Sequence, residues 1–394
     1  MEEWKECKLG DICNISSSKR IFAEEYVSSG IPFYRGKEII EKHNKNTVSS
    51  ELFITHERFA EIKSKFPVPQ IDDILLTSVG TLGIPWLVNE SNFYFKDGNL
   101  TWFRSNTEKV NPKFLYYWFE SNYAKNQIDS MCIGSTQKAL TIDTLSKFSI
   151  NLPPLPTQQK IAAILSSLDD KIELNNKINT HLEQQAQALF KNWFVDKYEK
   201  EGTIGDYCAV KSGFAFKSAW WQEEGIKVIR IGDIEQGCLN LETCAHIAND
   251  KIEIAKDFIV QGGDLVIAMT GATIGKFSMI PKTQEPILVN QRVGKFFLGN
   301  NPIEKVPFIY CTLKQEEVIT EFINRGQGSA QSNISTGDIL SIPCWIPNKN
   351  EIDNFNKTIQ PMFETIISNQ EENRKLSVLR DSLLPKLMNG EIFI

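Results

Sequence analysis

The clearest pattern in this sequence is an apolar stripe that recurs at alternating steps of four and three residues, and it occurs in two segments of the chain. In the first segment the stripe consists of Ile161, Leu165, Leu168, Ile172, Asn175, Asn179, Leu182, Ala186, Leu189 and Trp193. In the second it consists of Phe355, Ile359, Met362, Ile366, Asn369, Asn373, Leu376, Arg380, Leu383 and Leu387. This spacing is typical of a heptad seam, so it predicts two long helices that pair with each other.

The middle of each stripe is polar in the same two places, at Asn175 and Asn179 in the first and at Asn369 and Asn373 in the second. A buried Asn costs stability but fixes the register of paired helices, because a slipped pairing leaves its amide without a partner. The alternative interpretation is two separate surface helices with exposed Asn side chains. Identical placement in both segments favours pairing.

The connection between the two helices predicts their relative direction. A helix of about 38 residues is roughly 57 Å long, and only a short linker joins the first helix to the segment that follows. An antiparallel pair needs no crossing of that length. We therefore expect Asn175 to face Asn373 and Asn179 to face Asn369.

The ends of the two helices carry their own signals. Thr157 and Asn350 follow Pro-rich segments and are the expected N-caps. Arg380 stands in the second seam, and Pro385 is expected to break or kink the last turn of that helix.

A globular segment with short β-rich runs and Gly, Asn and Ser turns precedes each helix, and the two segments repeat each other. The matches occur in the same order at offsets of 191 to 195 residues: KLGDIC (8–13) with TIGDYC (203–208), GIPFYRGKEI (30–39) with GIKVIRIGDI (225–234), DILLTSVGTLG (73–83) with DLVIAMTGATIG (264–275), and GSTQKALT (134–141) with GSAQSNIS (328–335). We interpret this as an internal duplication.

The duplication predicts an α/β (α+β) protein with two tandem, pseudo-twofold-related globular domains, separated by two long helices that form an antiparallel coiled coil. The expected boundaries are 1–152 and 202–347 for the globular domains, and 153–201 and 348–394 for the helical segments.

Composition narrows the class of protein without identifying it. The chain has 394 residues, 41% hydrophobic and 23% charged, with a formal net charge of −6, which is globular and argues against indiscriminate binding of polyanions. Its apolar runs are shorter than a membrane span, and the polar start MEEWKECKLGD is unlike a signal peptide. Eight cysteines without a CxxC pair indicate reduced thiols, so we expect a cytoplasmic protein.

The usual catalytic motifs are missing from the sequence. GATIGKF (271–277) resembles a P-loop, but it has one residue too few between its glycines and no Ser or Thr after the Lys. No HExxH, GxSxG or GxGxxG occurs. We interpret the chain as non-catalytic, without cofactor or metal of its own; an active site of an unfamiliar kind is the alternative.

Two related domains on a stiff spacer are suited to reading two DNA half-sites at a fixed separation. In this organisation the sequence resembles the specificity subunits of Type I restriction-modification systems. The tandem organisation carries the resemblance, together with GSTQKALTIDTLSKFSINLPPLPTQQKIAAIL (134–165) and LLPKLMNGEI (383–392).

The resemblance implies two target-recognition domains, each reading one half of a bipartite, asymmetric site in double-stranded DNA. It also implies that the helices set the spacing and dock two methyltransferase subunits, which restriction subunits join. S-adenosylmethionine, ATP and Mg would then act only in those partners, and no membrane would be involved. The rival interpretations are a coiled-coil adaptor whose domains bind protein, and a stand-alone enzyme acting on DNA.

Candidate DNA-binding residues are polar, basic or aromatic side chains in matched loops and at the ends of β-like runs, where Lys and Arg suit phosphates and guanine edges and Gln suits adenine. For Arg35 and Arg230 a structural ion pair is an equally good interpretation. The full set is Ser18, Lys19, Arg20, Arg35, Lys37, Thr77, Ser78, Gln137, Lys138, Lys211, Ser212, Phe216, Lys217, Arg230, Thr270, Gln291, Arg292 and Gln331.

Overall fold

The structure is a computed structural model that describes residues 4–48, 52–131, 139–235, 237–326, 332–392 and 394. It divides into two compact units. The first unit comprises Met1–Asp170 and Leu376–Ile394, and the second comprises Lys171–Lys375. The division therefore falls inside both long helices.

The first part of the chain, up to and including the first long helix, alternates short strands and helices. Its elements are β1 (Lys5–Lys8), α1 (Leu9–Ile12), β2 (Cys13–Ser16), β3 (Ile31–Tyr34), α2 (Gly36–His43), β4 (Phe53–Ile54), α3 (His56–Lys65), β5 (Ile74–Thr77), β6 (Pro85–Leu87), β7 (Tyr94–Phe95), β8 (Leu100–Ser105), α4 (Pro112–Glu120), α5 (Asn122–Met131), α6 (Ile142–Ser146), β9 (Ser149–Leu152) and α7 (Leu155–Phe190).

The second part of the chain repeats this alternation and ends in the second long helix. Its elements are β10 (Gly202–Thr203), α8 (Ile204–Tyr207), β11 (Ala209–Ser212), β12 (Trp221–Gln222), β13 (Ile226–Ile229), β14 (Ile234–Glu235), β15 (Cys238–Leu239), β16 (Ala245–Ile247), β17 (Ile259–Val260), β18 (Leu265–Ala268), β19 (Phe277–Met279), β20 (Ile287–Val289), β21 (Val293–Phe297), α9 (Val306–Leu313), α10 (Glu316–Gly326), α11 (Thr336–Leu340), β22 (Pro343–Cys344) and α12 (Lys349–Met388).

The two units share the arrangement of their main sheets, although the second sheet has three strands in the first unit and five in the second. Each has a four-stranded antiparallel sheet, in the order β2-β8-β5-β6 in the first unit and β11-β21-β18-β19 in the second. Each has a second sheet built around one parallel pair, β3 with β7 and β13 with β20. The predicted α/β class and internal duplication are thereby confirmed.

The central strands β5 (ILLT) and β18 (LVIA) are buried along their whole length. They read as continuous apolar runs rather than as alternating ones because both of their faces are covered. Each unit also packs a helix pair of the same order onto its core, α4 with α5 and α9 with α10.

The units differ after the first strand of the parallel pair. In the first unit Arg35 leads into the eight-residue helix α2, whose buried residues are Glu38 and Ile39. In the second unit the equivalent Arg230 leads into a single 3₁₀ turn, Ile231–Asp233, followed by the hairpin β14-β15. The sheets that recur in both units form a shared frame, whereas the segment after this strand differs between the units.

Within the second unit the two long helices pair through their Asn layers. Asn175 Nδ2 donates to Asn373 Oδ1 at 2.9 Å, and Asn369 Nδ2 donates to Asn179 Oδ1 at 2.8 Å. Those partners are the ones expected for an antiparallel pair, which is confirmed. Asn175 and Asn179 are buried, so their satisfied amides specify this register.

Within the first unit the Arg in the seam is neutralised across the pair. Arg380 Nη1 lies 2.8 Å from Asp169 Oδ1 on α7, and Tyr117 Oη donates to Asp169 Oδ2 at 2.6 Å. The helix α12 continues through Pro385 to Met388, so the expected break there is wrong.

The expected N-caps are also wrong. The helix α7 begins at Leu155, which places Thr157 inside its first turn, and α12 begins at Lys349. The side chain of Asn348, rather than Asn350, accepts the N–H of Glu351 at 3.1 Å.

Candidate nucleic-acid interface

A groove in the second unit, the second groove, gathers four of the predicted residues. Ser212, Thr270, Gln291 and Arg292 line a cavity of about 520 Å³ together with Met269 and residues 332–336. The residues that line this cavity come from the end of β11, the turn after β18, the approach to β21 and the segment 332–336.

Backbone hydrogen bonds hold the last three of these segments together. The N–H of Met269 donates to the carbonyl of Arg292 at 3.0 Å, and the N–H of Ile334 donates to the carbonyl of Met269 at 2.9 Å. The N–H of Gly271 donates to the carbonyl of Ser332, also at 2.9 Å. With the backbone so engaged, the side chains of Gln291 and Arg292 are left exposed to solvent.

The second groove is rich in hydrogen-bond donors. Its lining contains a guanidinium, amides and hydroxyls but no carboxylate among the described residues. Thr270 Oγ1 is buried and has no hydrogen-bond partner in the described part of the chain. Such an atom is uncommon in a folded protein and indicates a position that a bound group or water satisfies.

The first unit has a groove of its own, the first groove. Its cavity of about 610 Å³ is lined by Arg35, Gly36, Lys37, Ile40, Glu41, Val79, Thr81 and Asn99. Five of these residues come from α2 and the residue before it, and the others come from the turn after β5 and the approach to β8.

The two grooves share one wall of the duplicated frame. Asn99 occupies the position of Arg292, because the N–H of Ser78 donates to its carbonyl at 2.8 Å as that of Met269 does to Arg292. Val79 likewise occupies the position of Thr270, since Val79 forms a bridge with Ala139 as Thr270 does with Asn333. The described ends of the segments GSTQKALT and GSAQSNIS, at Ala139 and Asn333, therefore close this wall in the same way.

The opposite wall of the first groove is α2, which has no counterpart among the described residues of the second unit. It contributes Glu41, whose Oε2 is buried without a hydrogen-bond partner among the described residues, while Oε1 lies 3.8 Å from Lys37 Nζ. The first groove thus contains an unsatisfied acceptor, where the second contains an unsatisfied hydroxyl beside a guanidinium.

Arg35 and Arg230 form the same structural ion pair in both units. Arg35 Nη2 lies 2.7 Å from Glu38 Oε1, and Arg230 Nε lies 3.4 Å from Asp233 Oδ2. Both acids are buried, and each also accepts the backbone N–H of its Arg at 2.8 Å. Burial tends to raise the pKa of Glu38, but the hydrogen bonds from Arg35 bring that pKa below its ordinary value.

Thr77 and Ser78 require a correction, because neither offers a hydroxyl to a ligand. Thr77 is 0% exposed and its Oγ1 accepts the N–H of Ile84 at 2.9 Å. Ser78 is 2% exposed and its Oγ lies 2.6 Å from Thr101 Oγ1. Both belong to the interior of the sheet.

The predicted loop residues of the first unit lie around Tyr94–Asp97. Ser18 Oγ donates to the carbonyl of Phe95 at 2.7 Å, and Tyr94 Oη accepts the backbone N–H of Lys19 at 2.7 Å. Arg20 Nε lies 2.7 Å from Asp97 Oδ2, although its side chain is largely exposed. The basic side chains of Lys19 and Arg20 therefore remain at the surface.

The matched loop of the second unit places its basic side chains over aromatic rings. Lys211 Nζ lies 5.1 Å from the centre of the Phe297 ring, and Lys217 Nζ lies 5.7 Å from that of Trp220. Phe216 packs against Phe214 and is half-buried. Contacts of this kind leave an ammonium accessible to a phosphate.

Three predicted residues, Gln137, Lys138 and Gln331, lie outside the described residues.

Sequence reasoning missed Asn99 and Glu41. Asn99 follows an Asp-Gly pair and looks like an ordinary turn residue. Placing the two halves of the chain in register would have set it opposite Arg292, which is among the predicted residues. No feature of the sequence marked Glu41 as a candidate, because α2 has no equivalent among the described residues of the second half.

The described residues contain no group of three or more His, Cys, Asp or Glu side chains that could hold a metal ion. Burial raises the pKa of Cys13, Cys208, Cys244 and Cys344 to about 12. These thiols are therefore protonated at neutral pH and poor as ligands or nucleophiles. Among the described helices, none is both long and apolar enough to span a membrane.

Comparison with known proteins agrees with this duplicated organisation. The family model described as Type I restriction modification DNA specificity domain matches twice, over residues 1–184 and 196–379. The specificity subunit of the Type I restriction enzyme HindI of Haemophilus influenzae is 26% identical, with 100% of both chains covered. That of the enzyme MjaIX of Methanocaldococcus jannaschii is 26% identical over 99% of this chain and 94% of that protein.

A solved structure shares the fold. The S subunit of a Type I restriction-modification system from M. genitalium has a TM-score of 0.59 and 18% sequence identity, covering 98% of this chain and 96% of that one. The tandem units thus define a duplicated DNA-specificity fold. The chain belongs to the Type I restriction modification DNA specificity domain family.

Proposed function

We propose that this chain is the DNA-specificity subunit of a Type I restriction-modification complex and that each unit reads one half of a bipartite, asymmetric site in double-stranded DNA. The observation that carries the proposal is the repetition itself. The family model matches once in each half of the chain, and each unit holds a polar groove against the same wall of a shared frame.

The differences between the grooves support an asymmetric site. One groove is lined by an Arg, hydroxyls and amides. The other includes a carboxylate contributed by α2, a helix without an equivalent in the described part of the second unit. Two grooves with different hydrogen-bonding groups select different bases.

The paired helices are proposed to set the separation of the half-sites and to dock two methyltransferase subunits, which restriction subunits join. The buried Asn layers, which fix one register of the pair, support a spacer of constant length. Methyl transfer from S-adenosylmethionine and ATP- and Mg-dependent steps are assigned to those partners. The names of the relatives, both specificity subunits, support this non-catalytic role.

The test is methylome sequencing of cells that carry the complete system and of cells from which only this chain is deleted. We expect one bipartite methylated motif to disappear on deletion and to return when the chain is restored from a plasmid. Survival of every methylated motif, in a strain without a second specificity gene, would overturn the proposal and favour the protein-binding adaptor.

A further inference from the structure

The two grooves differ in hydrogen-bonding chemistry at one equivalent position of the shared wall and again in the residues of the opposite wall. At the shared wall the first unit has Asn99 where the second has Arg292. The described lining of the second groove has no carboxylate, whereas that of the first has Glu41.

Each groove also contains one buried polar atom without a partner among the described residues. In the second groove this is Thr270 Oγ1, and in the first it is Glu41 Oε2. An unpaired buried carboxylate oxygen is costly, so this position calls for a donor from a bound water or from a ligand.

The guanidinium of Arg292 in the second groove is also available to a ligand. Its backbone carbonyl holds the wall, but its side chain is exposed and makes no hydrogen bond or ion pair within the described part of the chain. An Arg fork in this state matches two adjacent acceptors, and in the major groove only guanine presents such a pair, O6 and N7.

The first groove matches the complementary edge. A carboxylate oxygen accepts from an exocyclic amino group, and an Asn amide accepts from one while donating to a ring nitrogen. Adenine and cytosine carry such an amino group in the major groove, and guanine and thymine do not.

We propose that Arg292 reads a guanine in one half-site and that Glu41 with Asn99 reads an amino-bearing base, adenine or cytosine, in the other. This inference rests on the proposed function and deepens it. The two units thus read different hydrogen-bonding edges, the second unit through the shared wall and the first through the shared wall together with α2.

The test compares the methylomes of cells carrying the complete system with the wild-type chain, with Arg292→Gln or with Glu41→Met. Glu41→Met keeps the approximate size of the side chain while removing both acceptor oxygens. Matched controls are Lys256→Ala in the second unit and Lys63→Ala in the first, both exposed and outside the groove linings.

We expect Arg292→Gln to relax or change a guanine in one block of the motif and Glu41→Met to relax an adenine or cytosine in the other block. The letter lost distinguishes adenine from cytosine. The expected loss of discrimination is roughly 10- to 100-fold at that position. The controls should leave both blocks unchanged.

Where a variant loses methylation altogether, the preference is measured by competition binding. The purified complex of each variant is challenged with duplexes carrying each of the four bases at the position in question. A preference equal to the wild type's would overturn the inference for that residue.

Three further outcomes would overturn either the base assignments or the proposed function. A uniform loss of binding at all sequences, with the motif intact, would mean that Arg292 contacts phosphate and would overturn its assignment. A motif that vanishes when the chain is deleted, yet keeps every letter in both variants, would overturn the inference and leave the proposed function standing. No motif lost on deletion would overturn the proposed function itself.

Discussion

The two units share a frame of sheets and a buried ion pair, and each adds a different element to it. The antiparallel sheet, the parallel strand pair and the buried ion pair after its first strand recur in both. The helix α2 occurs only in the first unit, and the hairpin β14-β15 only in the second, as far as the described residues extend. What is repeated is what folds the unit. Of the two elements that differ, α2 lines the first groove, whereas the hairpin packs against β19.

The comparison also shows how the same buried carboxylate can be satisfied in two ways. Asp73 and Asp264 precede the central strands β5 and β18, and each accepts the N–H of the Gln three residues earlier. Asp73 then accepts from the indole of Trp102 at 2.9 Å, whereas Asp264 pairs with the Lys295 ammonium at 2.7 Å. Both units therefore have a carboxylate acceptor before the central strand, but its side-chain donor differs between them.

The largest effect is expected where the frame is identical. Gly30 and Gly225 have φ of +141° and +137°, and a Cβ would lie 2.4 Å from the Ile54 carbonyl oxygen and 2.2 Å from that of Ile247. Gly30→Ala and Gly225→Ala should therefore each destabilise their own unit by about 3 kcal/mol, through backbone strain and this clash. Hydrogen exchange read by mass spectrometry measures each unit separately.

The controls for these two variants are Gly36→Ala and Gly232→Ala. At both positions an added Cβ would meet open space, and φ is ordinary. We expect them to change the free energy of unfolding by less than about 1 kcal/mol in either direction. A large effect in only one of the two test variants would contradict a frame shared by both units.

A comparable but unequal effect is expected at the two carboxylates. Asp264→Asn leaves the largely buried Lys295 ammonium without its counter-charge and should cost about 3 kcal/mol. Asp73→Asn keeps an acceptor for Trp102 and should cost less than about 1 kcal/mol at neutral pH. Equal losses in both units would show that the two carboxylates are held alike.

The pH dependence sharpens the same contrast. Burial raises the pKa of Asp73 above its ordinary value of 3.8. The folded state then binds more protons than the unfolded state, so the stability of the first unit falls as pH rises from about 3.8 through the raised pKa. This fall should be absent in Asp73→Asn, as measured by denaturant unfolding across that range. A parallel fall in the variant would contradict the assignment.

The sequence predicts the long-range architecture because its signals are periodic or repeated. The Asn layers, the antiparallel pairing and the duplication needed only spacing and offset. The helix ends were predicted less well, since Asn348 and Asn350 offer the same cap chemistry and only the backbone decides between them. Pro385 is tolerated inside α12 within its last turn.

The groove residues could be predicted only in part. Gln291 and Arg292 stand out because they follow a β-like run, but Thr77 and Ser78 share that signal and prove to be buried. Burial of a small hydroxyl residue depends on which face of a strand is covered, which sequence does not state. Glu41 enters the first groove through α2, an element that comparison of the two halves does not reveal.

The most direct test of two reading units on one spacer is the architecture of the methylated motif when both helices are lengthened together. One heptad is inserted after Asn179 in α7 and one before Asn369 in α12, which preserves the Asn pairs. Seven residues add about 10.5 Å, or about three base pairs. Methylome sequencing should show both blocks of the motif unchanged and the unspecified gap between them longer by about that number. An altered block with the original gap, or a single contiguous motif, would contradict the account.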